Sequence, residues 1–137
     1  MSTTTEIKQL QFNQACEDGD LETVKALIND PDVNPSDWDN YAIRAAAHNG
    51  HRDVVKLLMQ DSRVDPSDAD NAAIRHAAYH GHKDVVELLM KDPRVDPSDN
   101  NNRAIRSAAL YGRKDVVKLL LTDKRVMDNI EYALEWC

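Results

Sequence analysis

Glycine occurs four times in this chain, at Gly19, Gly50, Gly81 and Gly112, each 31 residues after the last. A fixed period of about 20–50 residues marks a repeat architecture, in which a unit too small to bury its own apolar face stacks on its neighbours. Pro35, Pro66 and Pro97 keep the same step, as do Val33, Val64, Val95 and Val126. In register, AIRAAAHNGHRDVVKLLM, AIRHAAYHGHKDVVELLM and AIRSAALYGRKDVVKLLL are copies of one phrase, and FNQACEDGDLETVKALI is a more diverged copy near the N-terminus.

Each copy reads as two short helices. In the first, Ile43, Ala46, Ala47 and Gly50 share a face at i, i+3, i+4 and i+7, with Asn40 the expected N-cap and Gly50 the stop. The second, HRDVVKLLMQ, carries Val54, Val55, Leu57 and Leu58 as a broad apolar stripe, and Asp53 sits in its first turn, where a negative charge suits the helix dipole. The link DSRVDPSDADN holds Val64 in extended chain before Asp65, which its following proline biases away from helix, and then a turn-rich Pro-Ser-Asp run. These features predict four units, at 5–35, 36–66, 67–97 and 98–127, each with a loop projecting from the stack.

At 128–137 the pattern breaks. Asp128 and Glu131 stand at capping-box spacing, Met127 is placed to staple against Tyr132, and Ile130, Ala133 and Leu134 give a short amphipathic helix. That helix is expected to cap the last unit, as the more polar TEIKQLQFNQACEDG covers the first, making residues 1–137 one complete domain.

Seventeen basic against 24 acidic side chains leave a net charge of −7, which argues against a nucleic-acid binder that relies on clustered Lys and Arg. Cys16 and Cys137 form no disulfide framework and suit the reduced thiols of a cytoplasmic protein. The N-terminus lacks the basic and apolar regions of a signal peptide, and no run approaches the roughly 18 apolar residues of a membrane helix. A monomer with no membrane and no nucleic-acid partner is expected.

The core AAxxGHxDVVKLLM and the following RVDPS loop resemble the ankyrin repeat over residues 5 to 126. The departures are plain: YAIR, AAIR or RAIR replaces the usual Thr-Pro-Leu-His, Gly-Ala before the loop is absent, and the period is 31. Tyr41, Ala72 and Arg103 stand where that threonine would, so its hydrogen bonding does not carry over. DPRVDPSDN and AIR look like the variant repeats of amoebae and giant DNA viruses, which would place the protein in a host cytoplasm. The resemblance implies an all-α ankyrin-repeat solenoid of paired antiparallel helices with projecting loops and a C-terminal capping helix. It also implies protein recognition through the concave face and loop tips.

Comparing the copies separates frame from variable positions. With about 100° per residue and Ile43 as zero, Ala46 and Ala47 fall within roughly 60° of the core direction, whereas positions 41, 45, 48 and 49 lie roughly 140° to 240° away. Those four vary: Tyr41, Ala45, His48 and Asn49 become Ala72, His76, Tyr79 and His80, then Arg103, Ser107, Leu110 and Tyr111. The arc is therefore read as exposed, and the candidate partner-binding residues are Trp38, Tyr41, His48, His76, Tyr79, His80, Arg103, Leu110 and Tyr111. Trp38 leads, being an aromatic in a polar turn. Arg44, Arg75 and Arg106 recur unchanged, as do Asp37, Asp68 and Asp99, and are read as a ladder joining arginines to loop aspartates or carbonyls.

Other functions have less behind them. His76 and His80 have metal-permissive spacing but lack further ligands, and His48 would have to reach across from the next unit. His82 aligns instead with His51 and Arg113 and belongs to the frame. No phosphate loop, CxxC pair or nucleophile motif points to an enzyme, and no cofactor is expected. The alternatives are a structural or spacer domain without a specific ligand and, far behind, a metal-binding protein or enzyme.

Overall fold

The computed structural model describes residues 3–130. Its helices are α1 (Thr3–Asp18), α2 (Leu21–Leu27), α3 (Asp37–His48), α4 (Arg52–Met59), α5 (Asp68–Tyr79), α6 (Lys83–Met90), α7 (Asp99–Leu110), α8 (Lys114–Leu120) and α9 (Lys124–Asp128), and no strand occurs among the described residues. Helices α1, α3, α5 and α7 pack side by side as one layer, and α2, α4, α6 and α8 pack as a second. The expected solenoid of paired helices is the fold.

One formula fills the core. Ile43, Ala46 and Ala47 from α3 meet Val54, Val55 and Leu58 from α4 and Val64 from the loop; the next unit repeats the set, and the last repeats it except that Ala109 is exposed and Val117 only partly buried. Each such Val, Leu or Ile removed from water contributes about 1.5–3 kcal/mol. In the first unit Phe12 and Cys16 take the places of Ile43 and Ala47. Burial pushes the Cys16 thiol up to about 12, so this cysteine packs as a small apolar residue rather than acting as a nucleophile.

Gly19, Gly50 and Gly81 are required twice over. Gly50 has φ +76, and a Cβ there would lie 2.7 Å from His82 Nδ1 of the next unit. The histidine rests on the glycine because its Nε2–H donates to the carbonyl of His48 at 3.0 Å. His51 does the same to Glu17 at 2.9 Å, and Arg113 Nε to Tyr79 at 3.1 Å. His82 is thus a frame residue, as its register predicts. Asp20 holds the same register position with no preceding unit to reach, and caps its own helix by accepting from the Thr23 N–H at 3.2 Å. Gly112 also has positive φ, +72, but its Cβ would meet nothing within 4 Å. Gly112→Ala is therefore expected to cost only the left-handed penalty, about 1–2 kcal/mol, and Gly50→Ala measurably more in urea denaturation. Equal losses would remove the histidine contact from the account.

The chain leaves each loop through a left-handed turn. Trp38, Asp39 and Asn40 have φ of 54°, 52° and 59°, and Ala69–Asp70–Asn71 and Asn100–Asn101–Asn102 repeat them. This corrects the reading of Asn40 as an N-cap. Its Oδ1 accepts from the Asp65 N–H at 2.8 Å and its Nδ2 donates to Asp68 Oδ2 at 2.9 Å, so it bridges to the next loop. Asn71 bridges identically to Asp96 and Asp99. Gln9 does the equivalent from right-handed α1, exchanging two bonds with the backbone of Asn34. At Asn102 only Nδ2 is engaged, by the Val126 carbonyl, and its buried Oδ1 has no partner.

The arginines of AIR bind the carbonyls of their own turns. Arg44 donates to Asp39 and Trp38, Arg75 to Asp70 and Ala69, and Arg106 to Asn101 and Asn100, all at 2.9–3.2 Å. A second arginine series was not anticipated. Arg63 clasps Asp61 and donates to the Ile28 carbonyl, and Arg94 clasps Asp92 and donates to Val64. Those guanidiniums hold Asp61 and Asp92 below the usual carboxylate range. In the first unit Asp32 stands where the arginine would, and Lys8 pairs with Asp30 and Asp32 instead.

The loops project less than expected. Val33, Val64 and Val95 are buried, as are Pro35, Pro66 and Pro97, so these residues tie each loop to the stack, while Asp32, Arg63 and Arg94 and the tips around positions 38, 69 and 100 stay exposed. Beyond the last unit, Asp128 ends α9 rather than opening a capping helix. Its carboxylate pairs with Lys124 at 2.9 Å, and Asp123 is the N-cap, accepting from the Arg125 N–H. Ile130 is helical and packs on the core. Glu131, Tyr132, Ala133 and Leu134 lie outside the described residues.

Candidate partner-binding groove

The variable positions of α3, α5 and α7 converge because those helices lie side by side with the same face outward. A groove of about 620 Å³ runs over them, and seven of the nine candidate residues line it: His48, His76, Tyr79, His80, Arg103, Leu110 and Tyr111. Tyr41 lines a smaller neighbouring hollow of about 230 Å³ with Glu17 and His48. Trp38 lines neither; it stands edge-on to Tyr41, ring centroids 6.0 Å apart, with 62% of its surface exposed. It does not fold back onto the first unit.

The arc is not uniformly exposed, which corrects the helical-wheel reading. Ala45 is only 9% exposed and Ala72 only 3%. A wheel drawn for one helix cannot include the neighbour that covers its flank. Small side chains at these positions let adjacent first helices approach, and the neighbouring positions carry the rings. Tyr79, Leu110 and Tyr111 are exposed, at 39%, 72% and 49%, whereas Tyr41, His48, His76 and His80 are half-buried.

Ring contacts link the units. His48 lies 5.2 Å from His76 and 4.2 Å from His80 between centroids, Tyr79 lies 4.7 Å from His80, and Tyr79 and Tyr111 are 4.5 Å apart. The Nδ1 atoms of His48 and His76 are 3.0 Å apart. One of them must carry the proton and the other accept it, so both rings cannot be imidazolium while the contact persists. Burial first, and the charge of His48 second, hold His76 and His80 below the ordinary histidine value. The sign follows: both favour the fold above about pH 6.5, and that contribution is lost as acid protonates the unfolded chain first.

At the N-terminal end the Tyr41 hydroxyl donates to Glu17 Oε2 at 3.2 Å, and burial, with Glu17 beside it, raises the tyrosine. Arg44 sits 5.9 Å from the Tyr41 ring centroid, within cation–π range. No group of three His, Cys, Asp or Glu placed to hold a metal ion occurs among the described residues. No helix among them is long and apolar enough to cross a membrane.

Missing from the sequence reading were the arginines that share the groove with Arg103. Arg75 and Arg106 line it while bracing their turns. Their recurrence in the last three copies marked them as frame, and nothing in the spacing showed that a frame residue also faces the groove.

No curated protein matches the sequence. A family model for ankyrin repeats, three copies in length, matches residues 12–101 and again 46–131. With those matches spanning most of the chain and paired helices stacked in two layers, the protein belongs to the ankyrin-repeat family.

Proposed function

We propose that this chain is a protein-recognition module that holds a protein partner against the groove over α3, α5 and α7 and the neighbouring loop tips. Ankyrin repeats are generally protein–protein interaction modules and typically not enzymes. The observation carrying the reading is that Tyr79, Leu110 and Tyr111 stay exposed side by side along one groove. Large apolar groups grouped on a surface cost solvation that a partner relieves. A rigid stack loses little further ordering entropy on binding. The reading places the protein in the cytoplasm as a monomer, in keeping with its free, buried Cys16 thiol.

A spacer role draws on the half-buried His48 and His76, which spend their Nδ1 atoms on one another. The two readings separate in an affinity capture from the source cell, repeated with Trp38 and Tyr79 both changed to alanine. Recognition through this face predicts at least a tenfold drop in one captured protein, given the roughly 2 kcal/mol of an interface anchor. If every captured protein survives the double change, the face is wrong.

A further inference from the structure

The groove is charged opposite to the chain as a whole. The protein has a net charge of −7, yet no Asp or Glu lines the larger groove, whereas Arg75, Arg103 and Arg106 do. Arg75 donates to turn carbonyls, which are neutral. Arg103 is exposed and has no hydrogen-bond or ion-pair partner among the described residues. After burial, the guanidinium of Arg103 is the next influence pulling Arg75 below its ordinary value, so like charges are crowded together there. Asp70 and Asp99 act on Arg75 in the opposing sense and offset part of that repulsion, though neither lines the groove. A ligand anion beside Arg75 and Arg103 removes a repulsion the free protein must bear, and gains specificity from it.

Beside these cations lie Tyr79, Leu110 and Tyr111, the most exposed apolar part of the groove. We propose that the groove takes an acidic segment of a partner protein, its carboxylates on Arg75 and Arg103 and an apolar side chain on Tyr79, Leu110 and Tyr111. This rests on the protein-recognition reading above and adds the chemistry of the partner. A nucleic-acid strand would also meet arginines and rings. Its unbroken run of phosphates, however, would meet the exposed Asp70, whose charge acts on Arg75, where a peptide can present a neutral residue.

The test is a display selection of random dodecapeptides on the full chain, followed by NMR titration with the enriched peptide and, separately, with a 12-nucleotide oligouridylate. Net-negative peptides should emerge and shift the signals of Tyr79, Arg103 and Tyr111. Arg103→Glu should weaken them about tenfold or more, and Arg52→Glu, the same charge change at the start of α4, less than about twofold. Neutral or basic peptides that lose binding with Tyr79→Ala but not with Arg103→Glu would overturn the acidic class and leave the concave-face reading standing. Peptides indifferent to both changes would overturn both, as would a selection that enriches nothing. Oligouridylate binding at these residues, with no peptide binding, would replace the proposed partner by RNA.

Discussion

Asn71→Asp is expected to destabilise the stack by about 3 kcal/mol at pH 7 in urea denaturation. The substitution keeps volume and keeps a residue that tolerates the left-handed φ of 58°. It also keeps an oxygen to accept from the Asp96 N–H. What changes is the atom facing Asp99 Oδ2 at 2.8 Å, where a donor becomes a second carboxylate oxygen. Losing a hydrogen bond to a charged group and gaining a like charge at that distance sets the magnitude. The pH dependence separates this from general damage: near pH 4 the two carboxylates share a proton and the deficit should shrink. Asn71→Ala, which leaves the Asp96 N–H without its acceptor, should be impaired at both pH values. Stability in a solenoid is a sum over units and the joints between them, so either variant should also loosen the coupling between the third and fourth units. An Asp variant with the same deficit at pH 7 and pH 4 would remove Asp99 from the explanation.

Changing Arg44, Arg75 and Arg106 together to methionine is expected to cost about 2–3 kcal/mol and to expose the turns to solvent exchange. Nine residues other than glycine hold positive φ in these turns, Trp38 and Ala69 among them, each against a steric penalty of roughly 1 kcal/mol or more. The arginines offset that penalty by drawing two carbonyls of every turn onto one planar guanidinium. Charge-assisted bonds reach about 1.5–3 kcal/mol when buried, and partial exposure here reduces each arginine to about 1 kcal/mol. Methionine keeps much of the stem's packing and removes the donors. Hydrogen exchange at residues 37–41, 68–72 and 99–103 should accelerate, while amides of α4 and α6 should change only as far as global stability falls. Unchanged melting and unchanged loop protection would sink the bracing role.

The period, with the helical spacing of the apolar residues, made the paired helices, most core positions and the frame role of His82 legible. Those properties repeat every 31 residues, and packing between identical units repeats with them. The left-handed turns were hidden because Trp38 and Ala69 are poor advertisements for positive φ. The conformation is set by partners outside the local sequence. Asn40 shows the same limit: read locally it is a cap, yet its partners lie 25 and 28 residues on. A signal was present, since Asn40, Asn71 and Asn102 recur unchanged beside positions that vary. In the groove, register brought seven of the nine chosen residues together, but it could not show that Ala45 and Ala72 are covered by the adjacent helix.

Side-by-side packing of α3, α5 and α7 also fixes a ruler. Neighbouring helix axes lie about 8–10 Å apart, and an extended peptide advances about 3.3 Å per residue. A segment crossing the layer in extended form therefore meets a new unit about every third residue, but its side chains alternate between the protein and solvent. Recognition along this face is a matter of spacing as much as of side-chain identity: a residue three along reaches the next unit facing outward, whereas one about six along returns to the same face two units on and stays in step with the solenoid.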